Sequence, residues 1–176
     1  PVDLVELQIY NQKGKLDTEY DLNRDLKIAI SEYAPDSEII VDKKKYTSKY
    51  ITLPKDEKFP RHYFCVCPNC KKINVFVSER TIDECKYCGQ SLKSEKAEFY
   101  IEPIYGFKTG DTKESTRMKP KRSYSGEVSY IGGGIKDDVR IYIGDAIEIE
   151  TSTNDELLVM NKSAFYMCPV CGYSEI

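Results

Sequence analysis

A chain of 176 residues, 40% apolar and 31% charged, is long enough for one ordinary domain or two small ones, and this composition excludes a disordered or fibrous protein. Its net charge of -3, from 26 basic and 29 acidic residues, argues against a protein whose whole surface binds nucleic acid. PVDLVELQIY lacks a signal-peptide pattern and no long apolar run follows it, so we expect a cytoplasmic protein with no membrane segment.

The stretch DLNRDLKIAISEYAP predicts a helix near the N-terminus, because its apolar residues recur at intervals of three and four. Asp21 or Asn23 is expected to cap the start of this helix, and Pro35 to end it. The runs SEIIVD and KYITLP then predict two short strands, a hairpin or a pair of edge strands, separated by the basic segment DKKKYTSK.

Seven cysteines occur as CVCPNC, CKYC and CPVC, and an odd number grouped in Cys-x-x-Cys pairs favours metal ligands over disulfides in a cytosolic protein. Cys67 and Cys70 are followed, after fourteen residues, by Cys85 and Cys88, which is close to the spacing of a zinc ribbon. A thioredoxin-type redox pair is disfavoured because such pairs occur singly. Zinc is the predicted metal, and iron in the same four-thiolate cage is the alternative, since spacing does not distinguish them.

Between these cysteine pairs, KINVFVSE alternates, and the pattern predicts a ribbon strand with Ile73, Val75 and Val77 on one face. Cys65 is expected to face the same way as Cys67 and to act as a small buried apolar side chain. The single histidine, His62, is interpreted as an ordinary surface or half-buried residue rather than a ligand or a general base.

Further strands are predicted after the ribbon. AEFYIEPIYGF is extended, with Pro103 at a sheet edge or a strand end. The apolar positions 139, 141, 143, 147 and 149 fall on one face of the next strands, and LLVMN and AFYMC complete the pattern. The predicted fold is therefore α+β and β-rich, with one helix near the N-terminus, antiparallel strands and an inserted zinc ribbon.

Three segments follow from this pattern: a helix and β-hairpin segment at 1–60, the zinc ribbon at 61–95, and a β-rich segment at 96–176 that ends in an incomplete Cys-x-x-Cys knuckle. In that knuckle, Pro169 and Gly172 flank Cys168 and Cys171 as in the ribbon, which predicts a second metal half-site. Its missing ligands would come from Cys65, from a second copy of the chain or from sequence beyond the last residue. We favour the last of these, because the chain begins with Pro and ends abruptly after the knuckle.

Residues 107–122 contain six Lys or Arg and two acids, which makes a local basic strip. Its nucleic-acid candidates are Lys113, Arg117, Lys119, Lys121 and Arg122, with Tyr105 or Tyr124 available to stack on bases. The alternative is an ordinary solvated loop. The sequence shows no phosphate-binding loop and no Ser-His-Asp grouping, so we expect that this chain by itself is not an enzyme.

The order of these motifs resembles a known family. The stretch LNRDLKIAISEYAPDSEIIVDKKKYTSKYITL, the pair CPNC and CKYCG, then YIEPIYGF and LLVMNKSAFYMCPVCGY are similar to a zinc-binding helicase-associated region of unknown function. This region occurs in bacterial DEAD/DEAH-type superfamily-two helicases of the DrmB/MrfB type. The resemblance covers residues 20 to 176, and Asp36 stands where the family usually has Gly.

The resemblance implies a zinc-binding accessory domain of an ATP-dependent DNA helicase or translocase, which guides nucleic acid and serves in phage defence or DNA repair. It also implies that further chain completes the site of Cys168 and Cys171. The expected partners are DNA and the remainder of a helicase chain or a partner subunit. The alternative function is a structural protein-docking module in which zinc is purely architectural and DNA is not bound.

Overall fold

The structure of the chain is a computed structural model that describes residues 3–11, 13–55, 59–78, 83–114, 119–130, 139–143, 147–151 and 157–176. At 111–114, 129–130, 139–143 and 147–151 it describes the backbone alone. No helix in these ranges has the length and apolar character needed to cross a membrane.

Within these ranges the chain forms one short helix and fourteen strands. The predicted β-rich α+β class, with its single helix near the N-terminus, is therefore confirmed. The elements in chain order are β1 (Leu4–Gln8), β2 (Asn23–Asp25), α1 (Leu26–Glu32), β3 (Glu38–Val41), β4 (Lys44–Ile51), β5 (His62–Val66), β6 (Ile73–Phe76), β7 (Glu98–Tyr100), β8 (Phe107–Glu114), β9 (Gly126–Tyr130), β10 (Val139–Ile143), β11 (Ile147–Thr151), β12 (Leu157–Asn161), β13 (Tyr166–Met167) and β14 (Ser174–Glu175).

The chain divides into two compact units. The first unit comprises Pro1–Pro60, Glu102–Glu127 and Met160–Ile176, and the second unit comprises Arg61–Ile101 and Val128–Val159. The first unit contains a five-stranded sheet of order β2-β1-β8-β4-β3, and the second contains a three-stranded sheet of order β6-β5-β7.

Strand β1 lies inside the five-stranded sheet, between β2 and β8, and its residues alternate between the two faces of the sheet. Val5 and Leu7 are buried, whereas Leu4 is exposed on the opposite face. β1 pairs antiparallel with β2 but parallel with β8, where Leu7 lies opposite Phe107. The antiparallel pairing that the sequence predicts holds for β3 with β4 and for β4 with β8, so β1 and β8 are an exception to it.

The helix begins later than predicted. Its N-cap is Asp25, whose carboxylate accepts a hydrogen bond of 2.9 Å from the N–H of Lys27. The predicted caps Asp21 and Asn23 are wrong, because Asn23–Asp25 forms β2 and pairs with β1. The residues that the helical periodicity assigned to the first turn of the helix thus pair with β1 in the sheet.

The C-terminal end of the helix joins it to the sheet. Tyr33, the C-cap, is buried, and its ring meets that of Phe107 edge-on, with centroids 6.0 Å apart. The carbonyl of Tyr33 accepts a buried hydrogen bond of 2.7 Å from the hydroxyl of Ser48 on β4. The core of the first unit therefore forms where the helix, β4 and β8 meet.

The predicted hairpin is confirmed, but the basic segment is not its connection. β3 and β4 are joined by two residues, Asp42 and Lys43, with φ of 46° and 60°. A two-residue turn with both φ positive is the type I′ connection that suits the twist of a hairpin. Lys44 already pairs with Val41, so most of the basic run lies within β4.

The ribbon strand β6 ends earlier than the alternating pattern predicts. Ile73 is fully buried, but Val77 lies beyond the strand end at Phe76 and is 93% exposed. The prediction that Val77 shares a packed face with Ile73 is therefore wrong. Asn74 and Phe76, on the opposite face of the strand, are both buried.

The later strands agree with the predicted pattern. β10 and β11 pair antiparallel, and Ile141 lies opposite Ile149 and Ile143 opposite Ile147, so these positions share a face. Pro103 follows the end of β7, and its carbonyl accepts a hydrogen bond of 3.0 Å from Gly106.

Gly106 has φ of 84°, and a Cβ added to it would lie 2.3 Å from the carbonyl oxygen of Glu6. Gly14 has a similar φ of 71° with no atom within 4 Å of such a Cβ. We expect Gly14→Ala to lower the free energy of unfolding by about 1 kcal/mol, the cost of a left-handed conformation. We expect Gly106→Ala to lower it by about 3 kcal/mol or more, because backbone atoms must also move.

Urea unfolding followed by circular dichroism, with zinc in excess, measures both variants. Equal losses would contradict the close approach of β1 to Gly106.

Candidate metal centre

Two loops of the second unit bring four cysteines together. The first knuckle is Cys67–Lys72 and the second knuckle is Cys85–Gln90. The sulfur atoms of Cys67, Cys70, Cys85 and Cys88 all lie within 4.8 Å of one another. The structure thus gathers into one group the four residues that the sequence predicts as ligands.

The closest sulfur atoms belong to different knuckles. Cys67 Sγ lies 3.6 Å from Cys88 Sγ, and Cys70 Sγ lies 3.6 Å from Cys85 Sγ. A disulfide is about 2.05 Å long, so these are separate thiols. A tetrahedral ion with metal–sulfur bonds of about 2.3 Å has sulfur–sulfur edges of about 3.8 Å. The group therefore fits a four-thiolate metal site.

The two knuckles have the same backbone structure. In each, the N–H of the first cysteine donates to the carbonyl five residues later, and the N–H four residues later donates to the carbonyl of that cysteine. In the first knuckle these bonds join Cys67 to Lys72 and Lys71 to Cys67, at 3.0 Å each. In the second knuckle they measure 2.8 and 3.0 Å. Such a turn directs both sulfurs of a Cys-x-x-Cys pair to the same side.

This turn needs a positive φ at the residue after the second cysteine. Gly89 takes this position in the second knuckle with φ of 73°, and Lys71 takes it in the first with φ of 59°. A side chain in the left-handed region costs about 1–2 kcal/mol, which Gly does not pay. The first knuckle is therefore strained where the second is not.

Buried apolar side chains form one wall of the site. Cys65, Phe76 and Leu92 pack with Cys67 and Cys85 in a single cluster. The prediction that Cys65 is a small buried residue is confirmed, and burial raises the pKa of its thiol. Cys65 lies outside the group of four cysteines.

On the other side the site is open, because Cys88 is exposed and Cys70 is only half-buried. An ion can therefore enter from solvent.

Burial and hydrogen bonds make the thiols of Cys70, Cys85 and Cys88 unequal. Burial acts to raise the pKa of Cys85, but N–H groups of Tyr87 and Asn74 stabilise its thiolate and lower the pKa to about 6. Burial raises the pKa of neighbouring Cys70 to about 12. The N–H of Gln90 lowers the pKa of Cys88. Since a metal binds thiolates, binding must displace the remaining protons and must weaken as the pH falls.

Asn74 is the residue of this site that sequence reasoning missed. It lies on β6 between the two cysteine pairs, is fully buried, and donates to Cys85 Sγ at 3.4 Å. A polar residue inside the apolar run INVFV is the sequence signal that could have indicated this role. The apolar alternation by itself indicates only a strand that packs.

The third knuckle, Cys168–Tyr173, has the same backbone structure in the first unit. Its two hydrogen bonds measure 2.8 and 2.9 Å, and Gly172 has φ of 77°. Gly172 is also required by space, since its Cβ would lie 2.0 Å from the carbonyl oxygen of Ile51 on β4. Among the described residues no third Cys, His, Asp or Glu joins Cys168 and Cys171 in a ligand group. The second half-site stays a prediction.

His62 is half-buried, as expected, and lies outside the cysteine group. Its ring stacks on Tyr100, with centroids 5.2 Å apart and planes 21° from parallel. The ring of Tyr105, one of the two residues expected to stack on bases, lies against Phe59 with centroids 6.3 Å apart.

Three of the five basic candidates lie on one segment of the first unit. Lys119, Lys121 and Arg122 are all exposed. Lys113 is in β8, where the backbone alone is described, and Arg117 lies outside the described residues.

Acidic residues lie against the same segment. The backbone N–H of Lys121 donates to the carboxylate of Glu38 at 2.8 Å, and the guanidinium of Arg122 lies 3.7 Å from the carboxylate of Glu32. Lys45 and the N–H of Lys121 lower the pKa of Glu38, so that carboxylate is charged at neutral pH. The segment thus exposes basic side chains to solvent, and the two neighbouring carboxylates partly neutralise its positive charge.

Comparison of the chain with models of protein families, with curated proteins and with solved structures found no match. The interpretation of the site therefore depends on its residues, and the resemblance to helicase-associated regions stays a prediction.

The strain at Lys71 can be tested directly. We expect Lys71→Gly to raise the free energy of unfolding by about 0.5–1 kcal/mol, because relief of the left-handed conformation exceeds the added entropy of the unfolded chain. Lys72→Gly is the control, since this neighbour has no positive φ and should lose stability. Urea unfolding with zinc in excess measures both, and a loss of stability in Lys71→Gly would contradict the strained knuckle.

Proposed function

We propose that the second unit holds one structural zinc ion through Cys67, Cys70, Cys85 and Cys88, and that the chain is a zinc-binding accessory domain of an ATP-dependent DNA helicase or translocase. The convergence of four thiols from two knuckles, with sulfur contacts of 3.6 Å, carries the zinc assignment. Tetrahedral sites of four cysteines in Cys-x-x-Cys pairs are typical of structural zinc.

The zinc would hold the two knuckles together. Among the described residues, the apolar cluster beside the site joins Phe76 and Leu92 with Cys65, Cys67 and Cys85, with Tyr63, Cys70, Tyr87 and Ala97 at its margin. Two of its five buried members are proposed ligands, so metal binding would order this cluster and supply part of the folding free energy of the knuckles. All four side chains would serve as ligands of the ion.

Metal stoichiometry tests the assignment. Native mass spectrometry and elemental analysis of the purified chain should give about one zinc per chain. Cys85→Ser should lose this zinc, because three thiolates remain in a site that needs four ligands. Cys168→Ser should keep it, since the third knuckle is not in the ligand group.

Two outcomes would contradict the proposal. Zinc retained by Cys85→Ser would contradict the ribbon site, and iron in place of zinc would contradict the assigned metal. A second zinc that is lost in Cys168→Ser would show that the third knuckle also binds metal, which would extend the proposal.

The helicase part of the proposal is supported by the order of motifs that resembles helicase-associated regions, and by the exposed segment with Lys119, Lys121 and Arg122. Phosphate groups of a DNA strand would lie against these three side chains, which would guide the strand for the motor.

A structural docking module is the second candidate function. The observation that favours it is the pairing of the basic segment with Glu32 and Glu38, which reduces its positive potential. In this case zinc is architectural, and the surface of the chain would join a motor domain to a neighbouring domain or subunit.

A DNA titration separates the two functions. Lys119, Lys121 and Arg122 are changed together to Gln, which removes three charges and keeps a polar, unbranched side chain at each position. If they contact phosphates of single-stranded DNA, affinity should fall at low salt and the slope of log K against log salt should flatten by about 2. Lys93→Gln with Lys96→Gln, two exposed positions of the second unit, is the control for loss of charge elsewhere on the chain and should change little.

No binding of the unchanged protein at low salt, together with association with an isolated helicase core, would support the docking module. Binding whose salt slope is the same in both sets of variants would place the DNA elsewhere on the chain.

A further inference from the structure

Asn74 lies between the two knuckles of the candidate zinc site. It is the second residue of β6, the strand that directly follows the first knuckle, and its side chain is fully buried. A buried side-chain amide is costly unless its carbonyl oxygen and its N–H groups find partners. The partners of Asn74 therefore show what the residue does.

The side chain of Asn74 contacts both knuckles. Its Oδ1 accepts a hydrogen bond of 3.0 Å from the backbone N–H of Lys86, in the second knuckle. Its Nδ2 donates to the carbonyl of Lys72, at the end of the first knuckle, and to Cys85 Sγ, at 3.4 Å each. One side chain thus joins the two loops and contacts a ligand atom.

The orientation of the amide follows from these partners. A backbone N–H can only donate, so the oxygen of Asn74 must face Lys86 and the nitrogen must face the other two groups. The reverse orientation would place N–H against N–H and oxygen against the carbonyl of Lys72. Both donors of the amide therefore point toward the first knuckle and the Cys85 sulfur.

We infer that Asn74 is a positioning residue of the metal centre, which sets the spacing of the two cysteine pairs and donates an N–H to the Cys85 thiolate. This inference rests on the proposed zinc site. A four-thiolate zinc centre carries a net negative charge, and neutral N–H donors delocalise that charge where burial excludes water. Cys85 is 4% exposed, so water does not replace this donor.

The chain offers a matched control in Asn69. Its Nδ2 also donates to a ligand sulfur, that of Cys88, at 3.6 Å, but Asn69 is exposed and makes this contact in the solvent-facing part of the site. Water can replace it there. The same substitution at Asn69 and Asn74 therefore compares an exposed donor with a buried one.

Zinc affinity is measured first, by competition with a chromophoric chelator. Asn74→Asp keeps the size and the acceptor for Lys86 but removes the N–H donors, and Asn74→Leu removes both. We expect each to weaken zinc binding by about 10–100-fold, and Asn69→Asp by less than about threefold.

The spectrum of the cobalt(II) form separates positioning through the sulfur from support of the fold alone. Loss of the N–H donor raises the energy of the Cys85 sulfur lone pairs, so the sulfur-to-cobalt charge-transfer band should move to lower energy in Asn74→Leu. The band should stay in place in a variant that only loosens the fold. Zinc affinity of Asn74→Leu within about threefold of that of the unchanged protein, with an unmoved cobalt band, would overturn the inference.

A measurement on the unchanged protein decides the case where the variants do not fold. In the ¹¹³Cd-loaded protein, an N–H···S bond transmits scalar coupling from the metal through the sulfur to the amide proton. Coupling between the Nδ2 protons of Asn74 and cadmium supports the inference, and its absence overturns it. Failure of the unchanged protein to bind zinc, cobalt or cadmium would instead overturn the proposed zinc site.

Discussion

Four thiols whose nearest sulfur atoms lie 3.6 Å apart cannot all be ionised without a cation among them, and the second unit depends on this constraint. The backbone of the two knuckles already directs the sulfurs inward, and the wall of Phe76 and Leu92 keeps water from one side. A metal ion would balance the charge and link the two loops at once.

The third knuckle shows that the same loop can be held in a different way. Its backbone hydrogen bonds match those of the other two, yet it belongs to the first unit, where the N–H of Ile51 donates to the carbonyl of Gly172 at 2.9 Å. Beyond it, the N–H of Ile176 donates to Asp36, whose carboxylate also pairs with Lys49. The hydrogen bond from the end of β4 thus holds the third knuckle, and Asp36 with Lys49 holds the segment that follows it.

Sequence spacing was enough to predict the four clustered cysteines, because the Cys-x-x-Cys turn is local and its geometry follows from a few residues. The start of the helix and the role of Asn74 were not predictable in this way. Asn23 is a good cap in isolation, but its pairing with β1 depends on residues about twenty positions earlier. Asn74 is polar in an apolar strand, and its function appears only when the second knuckle folds back and places Lys86 beside it. Local patterns predict local geometry, and tertiary pairing decides the rest.

Asp36 shows how the contacts of a side chain can offset backbone strain. Its φ is 66°, in the left-handed region that Gly adopts freely. Asp is among the residues that tolerate this region, and the bonds from Lys49 and Ile176 offset the strain. These bonds also lower the pKa of Asp36 against the effect of its partial burial, so the carboxylate is charged at neutral pH. The side chain of Asp36 thus makes a contact that a Gly could not make, and this contact anchors the segment after the third knuckle.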